Sequence, residues 1–170
     1  MIQTTNLQLI VCEQAHINAL LRGKSALANI LGVTVPIGWP HFPEAFNLLA
    51  GSLAASDFQR SDWSHYFFIH PADKLLIGSG CFKSSPDEFG QVEIGYEIAS
   101  EYWNCGYATE TARALIDFAF IHEPVKAVVA HTLAEENASS RVLQKVGMKF
   151  ISEIDDPDDG KIWRWQVNRE

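Results

Sequence analysis

The chain has 170 residues, 47% of them apolar, and a formal net charge of −8. That length and apolar content fit a single domain, residues 1–170, with its own core. The acidic balance argues against binding a nucleic-acid backbone or an anionic membrane surface, and it favours cationic partners such as amines.

In chain order, residues 5–12 alternate Leu7, Leu9 and Val11 and read as a short strand. Residues 13–31 read as one or two helices, broken at Gly23. Residues 33–43, VTVPIGWPHFP, hold three prolines and a glycine and form a loop. Trp39 and Phe42 in it are candidates to cover a substrate, since loops on a rigid scaffold often carry binding residues; pinning the loop to the body would use the same aromatics. A helix is expected over 43–55, with Pro43 at the favoured first position. Strands follow at 65–70 and 74–82, joined by a turn at Pro71, Ala72 and Asp73.

Residues 91–120 carry the strongest pattern. Val92, Ile94, Tyr96 and Ile98 take one parity of a strand, and Glu93, Gly95 and Glu97 take the other. From Tyr107 the period changes to a helical stripe of Ala108, Ala112, Leu115, Ile116 and Ala119, ending before Pro124. The junction Asn104-Cys105-Gly106 opens straight into that helix, so backbone N–H groups and the helix dipole face outward as a ready anion site. Gly106 permits close approach, and Ala108 keeps the first turn slim. An ordinary strand–turn–helix junction would have similar turn composition. A strand at 126–133, a helix at 137–146 stopped by Gly147, and strands at 148–153 and 161–167 complete the chain, with a polar turn at 155–160. The 91–133 unit should pair its strands in parallel, while the preceding three strands form an antiparallel meander. The fold class is therefore α+β, with a mixed, mostly antiparallel central sheet flanked by helices.

The runs Val92-Glu93-Ile94-Gly95-Tyr96-Glu97-Ile98, Glu101-Tyr102-Trp103 and Gly106-Tyr107-Ala108-Thr109-Glu110, followed by Asn137-Ala138-Ser139-Ser140-Arg141, resemble the GNAT acetyltransferase superfamily, RimJ/RimL-like branch. The resemblance covers roughly residues 64–167 and implies a sheet whose fourth and fifth strands splay apart. It also implies acetyl-CoA as co-substrate and a primary amine, on a protein N-terminus or a small molecule, as acceptor. The pyrophosphate would then lie against Asn104, Cys105, Gly106, Tyr107, Ala108 and Thr109, and the pantetheine along the strand to Ile98 and Ala99. Asn137, Ser140 and Arg141 would also meet the cofactor, with Asn137 equally suited to a helix N-cap.

Glu93 is the candidate general base, and Glu97, on the same face, competes for that role or binds the acceptor. The resemblance implies that Ser140, where the RimL-like branch has a serine near the thiol, would donate a hydrogen bond to the departing sulfur; the tyrosine that many members use farther along this helix is Gln144 here. Asn104-Cys105 replaces the family's usual glycine and basic residue, which should weaken coenzyme affinity. Cys105 lacks a sequence-adjacent histidine to serve it as a nucleophile. His131 reads more simply as a core or edge histidine than as a site residue. The histidines show no metal spacing, so no metal is expected. No apolar run is long enough to span a membrane, no secretion signal opens the chain, and Cys12, Cys81 and Cys105 form no paired motif, which points to the cytoplasm. A monomer or a homodimer would suit the chain. The competing reading is a coenzyme-binding sensor or scaffold without catalysis.

Overall fold

The computed structural model describes residues 1–41, 43, 46, 47 and 63–170. In order, the elements are β1 (Ile2–Gln3), β2 (Gln8–Val11), α1 (Gln14–Arg22), α2 (Lys24–Leu31), β3 (His65–His70), β4 (Leu75–Phe82) and β5 (Gln91–Ile98). A short 3-10 turn (Ser100–Tyr102), α3 (Tyr107–Ile121), β6 (Ala127–Leu133), α4 (Ala138–Lys145), β7 (Lys149–Asp156) and β8 (Gly160–Asn168) follow. Most of the helix expected over 43–55 lies outside the described residues, as does Phe42. Gly23, at φ 125°, separates α1 from α2 where the broken helix was expected.

Among the described residues, eight strands form one sheet in the order β1-β2-β3-β4-β5-β6-β8-β7. All neighbouring pairs are antiparallel except β5 with β6. The strand parity read from the sequence sorts side chains onto two faces. Val92, Ile94 and Ile98 pack with Ala112, Leu115, Ile116 and Ala119 of α3 and with Leu143 of α4. The opposite face packs Phe67, Ile69 and Leu76 against Ile17 of α1 and Leu27 of α2.

The parallel pair is short. Gln91, Val92 and Glu93 pair with Ala127, Val128 and Val129, and register ends there although both strands continue. The strands that part are thus β5 and β6, one number later than the fold's usual count because the two-residue β1 precedes them. On the other side of β5, the N–H of Ala99 donates to Ile77 O at 2.8 Å, which makes the adjacent Gly78–Ile98 pair a non-hydrogen-bonded one. Backbone groups alternate along a strand, so those of Tyr96 and Ile98 point away from β4, into the gap that β6 leaves.

The β1–β2 turn is tied to the first turn of α3. Glu110 accepts from Thr4 Oγ1 at 2.6 Å, from Asn6 N at 2.7 Å and from Asn6 Nδ2 at 2.9 Å. Burial pushes the Glu110 carboxyl up, but the donors on Asn6 and Thr4 outweigh it and hold it below the usual range. A carboxyl lowered by folding stabilises fully above its unfolded pKa and loses that contribution as pH falls through the folded value. Glu110→Gln is expected to lower Tm at neutral pH by roughly 2–5 °C. It should also lose less stability than the native chain on acidification from about pH 5 to 3, by calorimetry.

Candidate active site

The gap between β5 and β6 is where the sequence-derived residues converge. At its α3 end, the chain turns through Asn104 at φ 61° and Gly106 at φ 85°, both left-handed, and enters the helix at Tyr107. The first bond closing the helix runs from Glu110 N to Gly106 O at 3.0 Å. Among the described residues, the N–H groups from Asn104 to Thr109 have no acceptor. Asn104, Cys105 and Gly106 are exposed, and a Cβ built on Gly106 would meet nothing within 4 Å. An open crown of unpaired amides at a helix N-terminus can hold a phosphate or a pyrophosphate. The thiol of Cys105 donates to Trp103 O at 3.5 Å. The Trp103 indole closes the other side of the turn by donating to Ile98 O at 2.6 Å.

Ile98 presents its N–H to the gap, whereas Ala99 is fully buried and its N–H is taken by Ile77. Of these two expected cofactor contacts, only the Ile98 amide is therefore free to receive one. Across the gap, Asn137 caps α4 by accepting from Ser140 N at 2.9 Å. Ser140 is 0% exposed, and its hydroxyl accepts from Asn137 N and donates to Asn137 O, each at 2.9 Å. The expected role of Ser140 as hydrogen-bond donor to the departing sulfur does not suit that position, since its hydroxyl proton is engaged by Asn137 O in the cap. The hydroxyl pair spanning the gap is instead Tyr96 with Ser139, 3.3 Å apart. Burial pushes the Tyr96 phenol up to about 12, so it stays protonated and able to donate at neutral pH. Arg141 is exposed on the same helix.

The other face of β5 carries the carboxylates. Glu93 Oε1 lies 2.9 Å from His131 Nδ1 and 2.5 Å from Lys83 Nζ. Burial pushes the Glu93 carboxyl up, but the His131 and Lys83 contacts overcome it and hold it below the ordinary carboxylate range. Glu97, two pleats along, accepts from Ser79 Oγ and from His41 N, each at 3.0 Å. Gly95 lies between them, and a Cβ there would meet only Cys81 Sγ, at 3.7 Å. The result is a shallow slot between two carboxylates. Burial pushes the Cys81 thiol up to about 11, which keeps it protonated and poorly nucleophilic.

Trp39 does not reach this slot. It is 0% exposed and packs edge-on against Phe46 and Phe67, with ring centroids 5.3 and 6.0 Å away. Its place is the core under α1 and α2, so it pins the loop rather than covering a ligand. His131, Lys83, Tyr96 and Ser139 are the neighbours that sequence reasoning did not assign. The parity of β5 placed Tyr96 correctly, but no local signal joined it to α4.

Residues 24–149 match the Acetyltransferase (GNAT) domain family, and the chain belongs to that family. It is an N-acetyltransferase. It is similar to the uncharacterized N-acetyltransferase YjdG of Bacillus subtilis (strain 168), 24% identical over 86% of this chain and 88% of that one. In three dimensions it resembles RimL, a ribosomal L7/L12 alpha-N-protein acetyltransferase solved with coenzyme A. The TM-score is 0.69 at 15% identity, over 97% of this chain and 95% of that one. A spermidine N-acetyltransferase SpeG chimera from Vibrio cholerae and hSSAT gives a TM-score of 0.69 at 14% identity, covering 96% of each chain. Among the described residues, no helix is long and apolar enough to cross a membrane.

Proposed function

We propose that this acetyltransferase takes its acetyl group from acetyl-CoA and transfers it by direct attack to a primary amine. The observation that carries the reading is the open seam along β5. It has unpaired amides from Asn104 to Thr109 at one end, the backbone of Tyr96 and the N–H of Ile98 turned into it along its length, and the Glu93 cluster on the face beyond. The pyrophosphate would rest on the amide crown, and the pantetheine would extend along Tyr96 and Ile98 as an added strand. Asn137 would contribute its side-chain amide from the α4 cap, and Arg141 would face the nucleotide. The Ile98 N–H would polarise the thioester carbonyl. The Tyr96–Ser139 pair would donate to the thiolate in place of Ser140.

Glu97 would attract the acceptor's ammonium into the slot over Gly95, and the Glu93 cluster would receive its proton. RimL is a ribosomal L7/L12 alpha-N-protein acetyltransferase, and SpeG is a spermidine N-acetyltransferase. Both acceptor kinds bring the cationic amine that an acidic slot selects. The chain's three cysteines are free, in keeping with a reducing cytoplasm.

The test is coenzyme A release from acetyl-CoA with spermidine, amino sugars and short peptides with free N-termini. Turnover with at least one amine is expected. Acetyl-CoA binding without turnover on any of them would favour the sensor reading. Within the active protein, Tyr96→Phe is expected to lower kcat about tenfold. Ser140→Ala should chiefly remove a helix cap, costing about 0.5–2 kcal/mol of stability. Thermal melts recorded beside the kinetics separate the two effects.

A further inference from the structure

Glu93 and His131 are 38 residues apart in the chain and meet across the last rung of the β5–β6 pair. His131 lies two residues beyond Val129, the register partner of Glu93, so it stands on the same face where the strands begin to part. Its Nδ1 contacts Glu93 Oε1 at 2.9 Å, and among the described residues Nε2 has no partner. A carboxylate accepts hydrogen bonds and has none to give, so this contact selects the imidazole tautomer with the proton on Nδ1. That leaves the Nε2 lone pair free.

Resting on the acetyl-transfer reading above, we propose that His131 Nε2 takes the proton from the acceptor ammonium and that Glu93 is the residue positioning it. The ammonium gives one proton to Nε2 and becomes a neutral amine. Its nitrogen forms a bond to the thioester carbonyl carbon, and the carbon–sulfur bond then breaks. The second proton passes from nitrogen to the leaving thiolate, and the imidazolium returns its proton to solvent. Each acetyl transferred thus yields one amide, one thiol and one released proton.

Two features favour imidazole over the carboxylate as acceptor. Glu93 Oε1 carries both the His131 and the Lys83 contacts, which weakens that carboxylate as a base. Imidazole is a base whose class titrates between about pH 5 and 8, well matched to neutral operation. The charged groups around it balance. Glu93 comes from β5, Lys83 follows β4, and Arg164 is opposite in register on β8, donating to Gln91 Oε1 at 2.6 Å. Asp156, at the end of β7, is close enough to feel both Lys83 and His131.

The experiment is kcat/KM against pH for the native protein, His131→Gln and Glu93→Gln, using acetyl-CoA and the best amine of the panel above. The native profile should show an acid limb that His131→Gln abolishes, with kcat down about 100-fold and the KM for acetyl-CoA within about threefold. Glu93→Gln should keep the limb, with a smaller loss of about tenfold. The proposal is overturned if Glu93→Gln loses more activity than His131→Gln, or if the limb survives in His131→Gln. Nitrogen chemical shifts of His131 in the unliganded protein give an arm that needs no turnover. Above about pH 8 they should report the Nδ1–H tautomer, and an Nε2–H tautomer would sink the dyad. An inert native protein showing the Nδ1–H tautomer would instead refute acetyl transfer and, with it, the proton-acceptor role of His131.

Discussion

Trp39→Ala is expected to destabilise the fold by about 3–5 kcal/mol, the cost of emptying a large aromatic from a closed core. Trp39 is among the largest fully buried side chains, wedged between Phe46 and Phe67 beside Leu27 and Leu76. A hole of that size on the α1–α2 side cannot be filled by nearby atoms, since the facing Phe67 is fixed by β3 pairing on both edges. For a chain of this length the change corresponds to a Tm drop of roughly 6–20 °C. Trp39→Phe should behave differently. Among the described residues the buried Nε1 has no acceptor, so losing it removes a desolvated donor while keeping most of the ring contact. That variant should lie within about 1.5 kcal/mol of the native chain. Thermal melts of both variants check the pair. A substrate-covering Trp39 would instead leave Tm unchanged and raise the acceptor KM.

The same residue shows where sequence reading stops. Within the loop of residues 33–43 nothing repeats, so no period tells which way an indole turns. Where a period exists, the reading reached the structure. The alternation over 91–99 sorted Glu93 and Glu97 from Val92, Ile94 and Ile98, and the faces observed are those. The change of period at Tyr107 located the helix start, and with it the unpaired amides. Pairings between distant elements were not legible. Glu93 with His131 depends on the register of two parallel strands joined by a long crossover, and Tyr96 with Ser139 on the tilt of α4 over the gap. Ser140 is an intermediate case. Asn137 read as a cap, and the reciprocal bond from a side chain three residues on is part of the same capping box. Following that box to its second half would have assigned the Ser140 hydroxyl to the helix terminus rather than to sulfur.

Gly106→Val is expected to separate cofactor binding from folding. Gly106 holds φ 85° at the N-cap of α3, a region that L side chains enter at a cost of about 1–2 kcal/mol. A Cβ there meets no protein atom within 4 Å, so strain is the main penalty to the fold and the chain should still melt cooperatively. Gly106 lies within the run of amides from Asn104 to Thr109 that have no acceptor among the described residues, so a side chain there would stand in the open space beside them. A branched side chain in that space would hold a pyrophosphate off the backbone and break two or more charge-assisted bonds of about 1.5–3 kcal/mol each. Coenzyme A affinity measured by calorimetry should therefore fall by about 100-fold or more, while Tm in the absence of ligand falls by only about 2–8 °C. Gly106→Ala, without the branch at Cβ that adds strain at positive φ, should lose less affinity and less Tm. Because this turn lacks the basic side chain that would add a point charge, main-chain amides would carry most of a phosphate contact here. The valine effect should accordingly persist at high salt, where a side-chain cation would be screened. An unchanged affinity for coenzyme A in Gly106→Val would place the cofactor somewhere other than the head of α3.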